Sequence, residues 1–225
     1  MVQTILPKSV VVINDASTDD TNIVFLRNQG AGLLIGIGMH LLETGPNPIG
    51  TSKATNQGIA WAQEQDILGD YIMLLNADDY IDEHYIEQAQ HVLDTKENIG
   101  IVYTDVFAFG PLACKFSENS VWFKSRLVTI DKNQKNLLYL WEFPSFEKRE
   151  DLIKRLEEGN IIHASALFRS KIWLKGTRFP DMPKREDWWF WKEAIIDQGW
   201  DAYHIPEPFL YYRQHSREQR NLQAG

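Results

Sequence analysis

Two short apolar runs in this chain stop abruptly in acid. Val10-Val11-Val12-Ile13 leads into Asn14-Asp15-Ala16-Ser17-Thr18-Asp19-Asp20-Thr21, and Tyr71-Ile72-Met73-Leu74-Leu75 leads into Asn76-Ala77-Asp78-Asp79. Both have the length and continuous apolarity of strands. In an open α/β sheet ligands bind outside the carboxyl ends of the strands, so two such endings aim carboxylates into one crevice. Acids gathered there repel each other unless a cation lies between them. A hard divalent ion carrying a diphosphate meets that need.

Strand and helix patterns alternate along the rest of the chain, which predicts an α/β fold with a mostly parallel central sheet flanked by helices. Strands are expected at Ser9–Asn14, Gly36–Glu43, Tyr71–Leu75, Ile99–Tyr103, Ile161–Phe168, Ala202–Ile205 and Phe209–Tyr212. Helices are expected at Asp20–Gln29, Thr51–Gln65, the stretch after a capping Asp82, Glu147–Glu158 and Glu186–Gln198. Gly159 and Gly199 stand where glycine C-caps belong. Phe107 to Phe146 is irregular and aromatic-rich, and reads as excursions over the sheet. No repeat or flexible linker divides residues 1–225, so one domain is expected.

A formal charge of -8 leaves no excess of Lys and Arg to neutralise nucleic-acid phosphates. The single cysteine, Cys114, excludes an internal disulfide and reads as a small buried hydrophobe. No apolar run reaches the ~18 residues needed to span a bilayer, and no signal peptide is visible. A cytoplasmic protein is expected, with peripheral association with an inner membrane left open.

The order of the motifs resembles the GT-A glycosyltransferases of family 2, over nearly the whole chain. Asn14 to Thr21 resembles the nucleotide-binding D-D-G-S-x-D-x-T segment. Gly50-Thr51-Ser52-Lys53-Ala54-Thr55-Asn56-Gln57-Gly58-Ile59-Ala60 resembles G-x-S-x-A-R-N-x-G-I-x, with Thr55 where the family carries Arg. Leu75 to Asp79 stands at the metal-binding D-x-D, with Asn76 for the leading acid. Ile162 to Arg169 and Arg185-Glu186-Asp187-Trp188 are similar to later blocks, the second holding the E-D motif. Tyr211-Tyr212-Arg213-Gln214-His215-Ser216 is similar to the closing Y-R-x-H-x-S.

The resemblance implies a transfer of a sugar, of hexosyl type, from a nucleotide diphosphate donor to an acceptor hydroxyl. Polysaccharide biosynthesis is the implied setting. Residues 1–100 would form the nucleotide-sugar half and 101–225 the acceptor and catalytic half. Asp15 would accept a base imide N–H, which favours a UDP-sugar, with Ser17 beside it. Lys53 and Asn56, on the first turns of a helix, suit the phosphates. Asp78 would meet ribose or metal, and Asp79 would ligate Mn²⁺ or Mg²⁺, with His215 completing the sphere and Arg213 facing the diphosphate. Asp187, paired with Glu186, would be the base of an inverting reaction, its pKa raised by burial among tryptophans.

Each acid also has a plainer reading. Asp15 suits a turn, Asp78-Asp79 a helix cap, and Glu186-Asp187 the positive end of a helix dipole. The family opens with a strand and helix that precede the counterpart of Met1, and Met1 to Pro7 resembles the end of that helix. An N-terminally shortened copy is therefore expected, with activity impaired or reduced to nucleotide-sugar binding alone. A dinucleotide enzyme is disfavoured because Gly36-Ile37-Gly38 lacks its third glycine, Leu41 standing there. No Walker loop is present. The sugar, the acceptor and the linkage are not legible.

Overall fold

A computed structural model describes residues 3–117, 120–130, 137–182 and 184–215. Ser216 of the closing motif lies outside them. The chain runs β1 (Ser9–Asn14), α1 (Thr21–Leu34), β2 (Gly38–Glu43), α2 (Thr51–Glu64), β3 (Tyr71–Met73), β4 (Tyr80–Ile81), α3 (Tyr85–Thr95), β5 (Ile99–Phe109) and α4 (Ala113–Ser117). It continues through β6 (Lys124–Ile130), β7 (Leu137–Glu142), α5 (Arg149–Glu158), β8 (Leu167–Arg169), α6 (Ser170–Leu174), α7 (Glu186–Lys192) and β9 (Asp201–Arg213).

The expected mostly parallel sheet is divided: β1 and β2 form a two-stranded sheet of their own, and the larger sheet is mixed. β1 pairs β2 in parallel and β5 pairs β9 in parallel, whereas the β3–β8, β8–β5, β5–β7, β7–β6 and β4–β9 pairs are antiparallel. Two of these antiparallel pairs, β5–β7 and β7–β6, come from the 107–146 excursion. β5 runs on to Phe109, six residues beyond its expected end, and β7 and β6 then add to its flank as a meander.

β5 is the central strand and buries both faces, as its near-continuous apolarity requires. Ile101 and Tyr103 face a core built with Ile59 of α2, Leu152 and Leu156 of α5, Phe168 of β8, Trp173 of α6 and Phe190 and Trp191 of α7. Val102 and Val106 face a second core with Tyr85 and Leu93 of α3, Trp141 of β7 and Leu210 of β9. The first core thus mixes both expected halves of the chain.

Several boundaries move for identifiable reasons. α1 continues to Leu34 and is closed by Gly36 at φ 81°, so Gly36-Ile37 is a turn and not the start of β2. Ile161 and Ile162 are fully buried, yet only Leu167–Arg169 pairs as a strand. Apolarity alone does not separate a buried loop from a strand. The two expected C-terminal strands are one, β9, whose bulge at Pro206-Glu207 shifts its register against β5 between Thr104 and Asp105. At that bulge buried Asp105 accepts both the Phe143 N–H and His204 Nε2, each at 2.8 Å, and the Ser145 hydroxyl lies 2.6 Å from His204 Nδ1. Because a carboxylate only accepts, Nε2 carries a proton.

Gly159 ends α5 as expected but not as a left-handed cap, since its φ of 176° is extended. What requires glycine is space. A Cβ there would stand 2.3 Å from the Trp122 ring, whose other neighbour is the Arg155 guanidinium. We expect Gly159→Ala to lower stability by about 1–3 kcal/mol, the usual cost of forced overpacking, measured by urea denaturation. A loss below ~0.3 kcal/mol would show that Trp122 yields freely.

Candidate active site

At the end of β1, Asn14 is buried and hydrogen-bonds Asn22, and its side-chain oxygen accepts the Ser17 N–H. This turn places Ala16 at φ 58°, a left-handed conformation that the resembled segment assigns to glycine. Ser17 is exposed. Asp15 turns inward: Oδ1 accepts from the Thr44 hydroxyl at 2.6 Å and from Ile49 N–H at 2.8 Å, and Oδ2 accepts from Gly50 N–H at 2.9 Å. Burial pushes its pKa up, but these three donors outweigh that and hold the carboxyl below its ordinary value. Asp15 therefore organises the loop that feeds α2.

The next expected pair is likewise engaged within the chain. Lys53 Nζ sits 2.9 Å from Asp181, an exposed ion pair. Asn56 uses both ends of its amide on Phe179, donating to its carbonyl at 2.7 Å and accepting its N–H at 3.0 Å. Ser52 adds a longer bond to the Met182 carbonyl. The first turns of α2 thus hold the 179–182 segment, rather than presenting a free cradle.

Past β3, the adjacent acids part company. Asp79 is 9% exposed, and each of its oxygens carries a bond, Oδ1 from Arg213 N–H at 2.8 Å and Oδ2 from the Asn76 amide at 3.0 Å. Burial dominates, and pushes its pKa up to about 6. Asn76, the amide in place of an acid, therefore positions its neighbour. Asp78 stays partly open to solvent and contacts His215 Nε2, while the Arg213 guanidinium donates to the Asp78 carbonyl and lies over Phe109. The end of β9 and the β3 turn are thereby drawn together. A carboxylate facing an imidazole is a donor pair that suits a transition-metal dication such as Mn²⁺ better than Mg²⁺, which prefers oxygen ligands. Among the described residues no third His, Cys, Asp or Glu joins them.

Glu186 and Asp187 form the start of α7, which directly follows Arg185 in a left-handed conformation. Non-glycine residues held there cost of order 1 kcal/mol and tend to mark functional segments. Asp187 Oδ2 accepts the Asn160 amide at 2.7 Å. Burial pushes its carboxyl up to about 6, against the lowering effect of Asn160 and the Trp188 N–H, with adjacent Glu186 adding to the rise. Trp188 donates to the Leu156 carbonyl and Phe190 and Trp191 are fully buried, so the helix that carries the acid is anchored. Trp189 is the exposed aromatic of the run.

The three expected acids are thus linked unevenly. Asp15 bonds the start of α2, which holds the 179–182 segment, and Phe179 of that segment stacks on Phe190 of α7, the helix that carries Asp187; Leu74, just beyond β3, packs on the same core. No direct bond joins Asp79 to either among the described residues. Asn160 is absent from the sequence reading. Its one local signal, an Asn after a helix-ending glycine, points to a cap and not to a residue 27 positions on.

The chain matches the model of Glycosyl transferase family 2 over residues 2–175 and belongs to that family. Its fold is similar to that of Staphylococcus aureus TarS residues 1–349, solved alone and in complex with UDP. In both the TM-score is 0.62 at 16% identity, over 94% of this chain and 53% of the TarS chain. The chain spans about half the length of those structures, and the likeness establishes the GT-A fold. No curated protein matches the sequence. No helix among the described residues is long and apolar enough to cross a membrane.

Proposed function

We propose that this chain is an inverting glycosyltransferase that moves a sugar, of hexosyl type, from a UDP-sugar to an acceptor hydroxyl. The observation that carries the reading is Asp187, a half-buried carboxyl raised to about 6 at the head of an anchored helix. Such a group is ionised at neutral pH and is basic enough to take a proton. As the acceptor oxygen attacks the anomeric carbon, Asp187 takes that oxygen's proton and UDP departs from the opposite face. The TarS complex with UDP supports a uridine donor.

Asp78 and His215 would hold a divalent cation, which supplies positive charge against the departing diphosphate. Asp79, already bonded to Arg213 N–H and Asn76, keeps the β9 end and the Asp78 turn in register. Arg213, exposed above Phe109, remains close enough to Asp78 to meet the same anion.

Calorimetric titration with UDP tests this. Binding is expected to tighten with Mn²⁺, and Asp78→Asn is expected to lose at least about tenfold of that gain, or ~1.4 kcal/mol. No UDP binding with or without Mn²⁺ would sink the proposal. The engagement of Asp15, Lys53 and Asn56 within the chain favours a second reading, a nucleotide-sugar-binding domain without turnover. UDP binding with no sugar transfer or donor hydrolysis across a donor panel would select it.

A further inference from the structure

Asp187 does not stand alone, and what fixes it comes from a different element. α5 packs against α7 and offers it Leu152 and Leu156, which carry no charge. Immediately after α5 the chain passes under the Trp122 ring at Gly159, where no side chain fits, and the next residue is Asn160. The Asn160 amide is oriented by a second bond, from Ile162 N–H to Oδ1 at 3.3 Å. With that oxygen taken, the NH₂ end must face Asp187 Oδ2, as the 2.7 Å distance requires. The adjacent Glu186, on the same helix, adds its charge to the rise in the Asp187 pKa.

We propose that Asn160 is a positioning residue for the transfer reaction: its amide ties down Oδ2 of Asp187 and so sets the rotamer and proton affinity with which that carboxylate meets the acceptor. This deepens the reading of Asp187 as the base and rests on it. The chemistry is specific to an amide at this place. A donor to the charged form favours ionisation, whereas burial opposes it, so Asn160 keeps the acid from becoming too weak to ionise near neutrality. Being neutral, it brings no cation to Asp187, which would ion-pair it and depress its basicity. Asn160 touches no reacting atom itself.

The test is the titration of the Asp187 carboxyl by ¹³C NMR in the full chain, with Asp187→Asn supplying the assignment. Asn160→Ala is expected to raise its midpoint by about half to one pH unit, the share of one lost donor. Asn160→Asp keeps an acceptor for Ile162 N–H but sets a second carboxyl against the first, and is expected to raise the upper midpoint by at least about one unit. The acid limb of kcat should move by the same amounts, with UDP affinity within about twofold of wild type. Unchanged midpoints in both variants overturn the proposal. If Asn160→Ala does not fold, the near-isosteric Asn160→Asp decides alone on the same criterion. Full turnover in Asp187→Asn would instead remove the base itself, a separate failure that the NMR midpoints do not mimic.

Discussion

Asp187→Asn is expected to lower kcat for sugar transfer by about 10²–10⁴-fold, the span of a lost general base, while UDP still binds. The variant keeps the shape of the side chain and can present its oxygen to the Asn160 amide, so the helix should stay seated. In the wild type the rate should fall about tenfold per pH unit below about 6, where the carboxyl takes up its proton. The same group has an opposite effect on stability. Its folded pKa lies above the ordinary 3.8, so between about pH 4 and 6 the folded chain binds more protons than the unfolded one. Stability therefore falls as pH rises through that window, and the penalty is complete above it. Asp187→Asn should accordingly stabilise the protein at pH 8, by up to about 3 kcal/mol, and leave it unchanged near pH 4. Thermal melts at the two pH values check the sign. Equal melting shifts at both would mean that the carboxyl is not held against its charge.

Phe190→Ala should be the most damaging apolar truncation on the same helix, at about 3–5 kcal/mol, or roughly 10 °C in Tm. Phe190 is fully buried, stacks on Phe179 with ring centroids 4.1 Å apart, and meets Phe168 and Trp191 edge-on. Nothing nearby can fill the space of a lost ring, because Phe179 is itself held at both backbone atoms by Asn56. Trp189, one residue away and 46% exposed, gives the control: Trp189→Ala should cost less than about 0.5 kcal/mol. Comparable losses in the two variants would mean that α7 is not docked as described.

The parts of this fold governed by local pattern are the parts the sequence makes legible. β1, α2 and the helix at Tyr85 fall where continuous apolarity or helical spacing puts them, to within a few residues. β5 overran its expected end because the Thr104-Asp105 pair breaks an apolar run, yet Asp105 is satisfied inside by His204 and Phe143. Pro206 and Pro208 likewise divide β9 on paper, whereas a bulge absorbs them in space. The site follows the same rule. Asp187, Asp78, Arg213 and His215 stand in motifs that single them out, and the structure brings Asp78 and His215 into contact. Asp15, Lys53 and Asn56 look from their motifs like outward ligands, but partners distant in sequence occupy them. Asn160 was invisible for the converse reason, since only packing brings it to Asp187.

The strap formed by Phe179, Asp181 and Met182 on the first turns of α2 bears on recombination between relatives. A chimera joined near residue 100 would inherit its helix from one parent and its strap from the other. The amide at Asn56 satisfies both backbone atoms of Phe179, so a parent with a different side chain at that position would leave a peptide group stranded beneath the aromatic stack. Exchangeable modules in this fold are therefore bounded by matched pairs across the crossover, and Asn56 with Phe179 is the pair to transplant together.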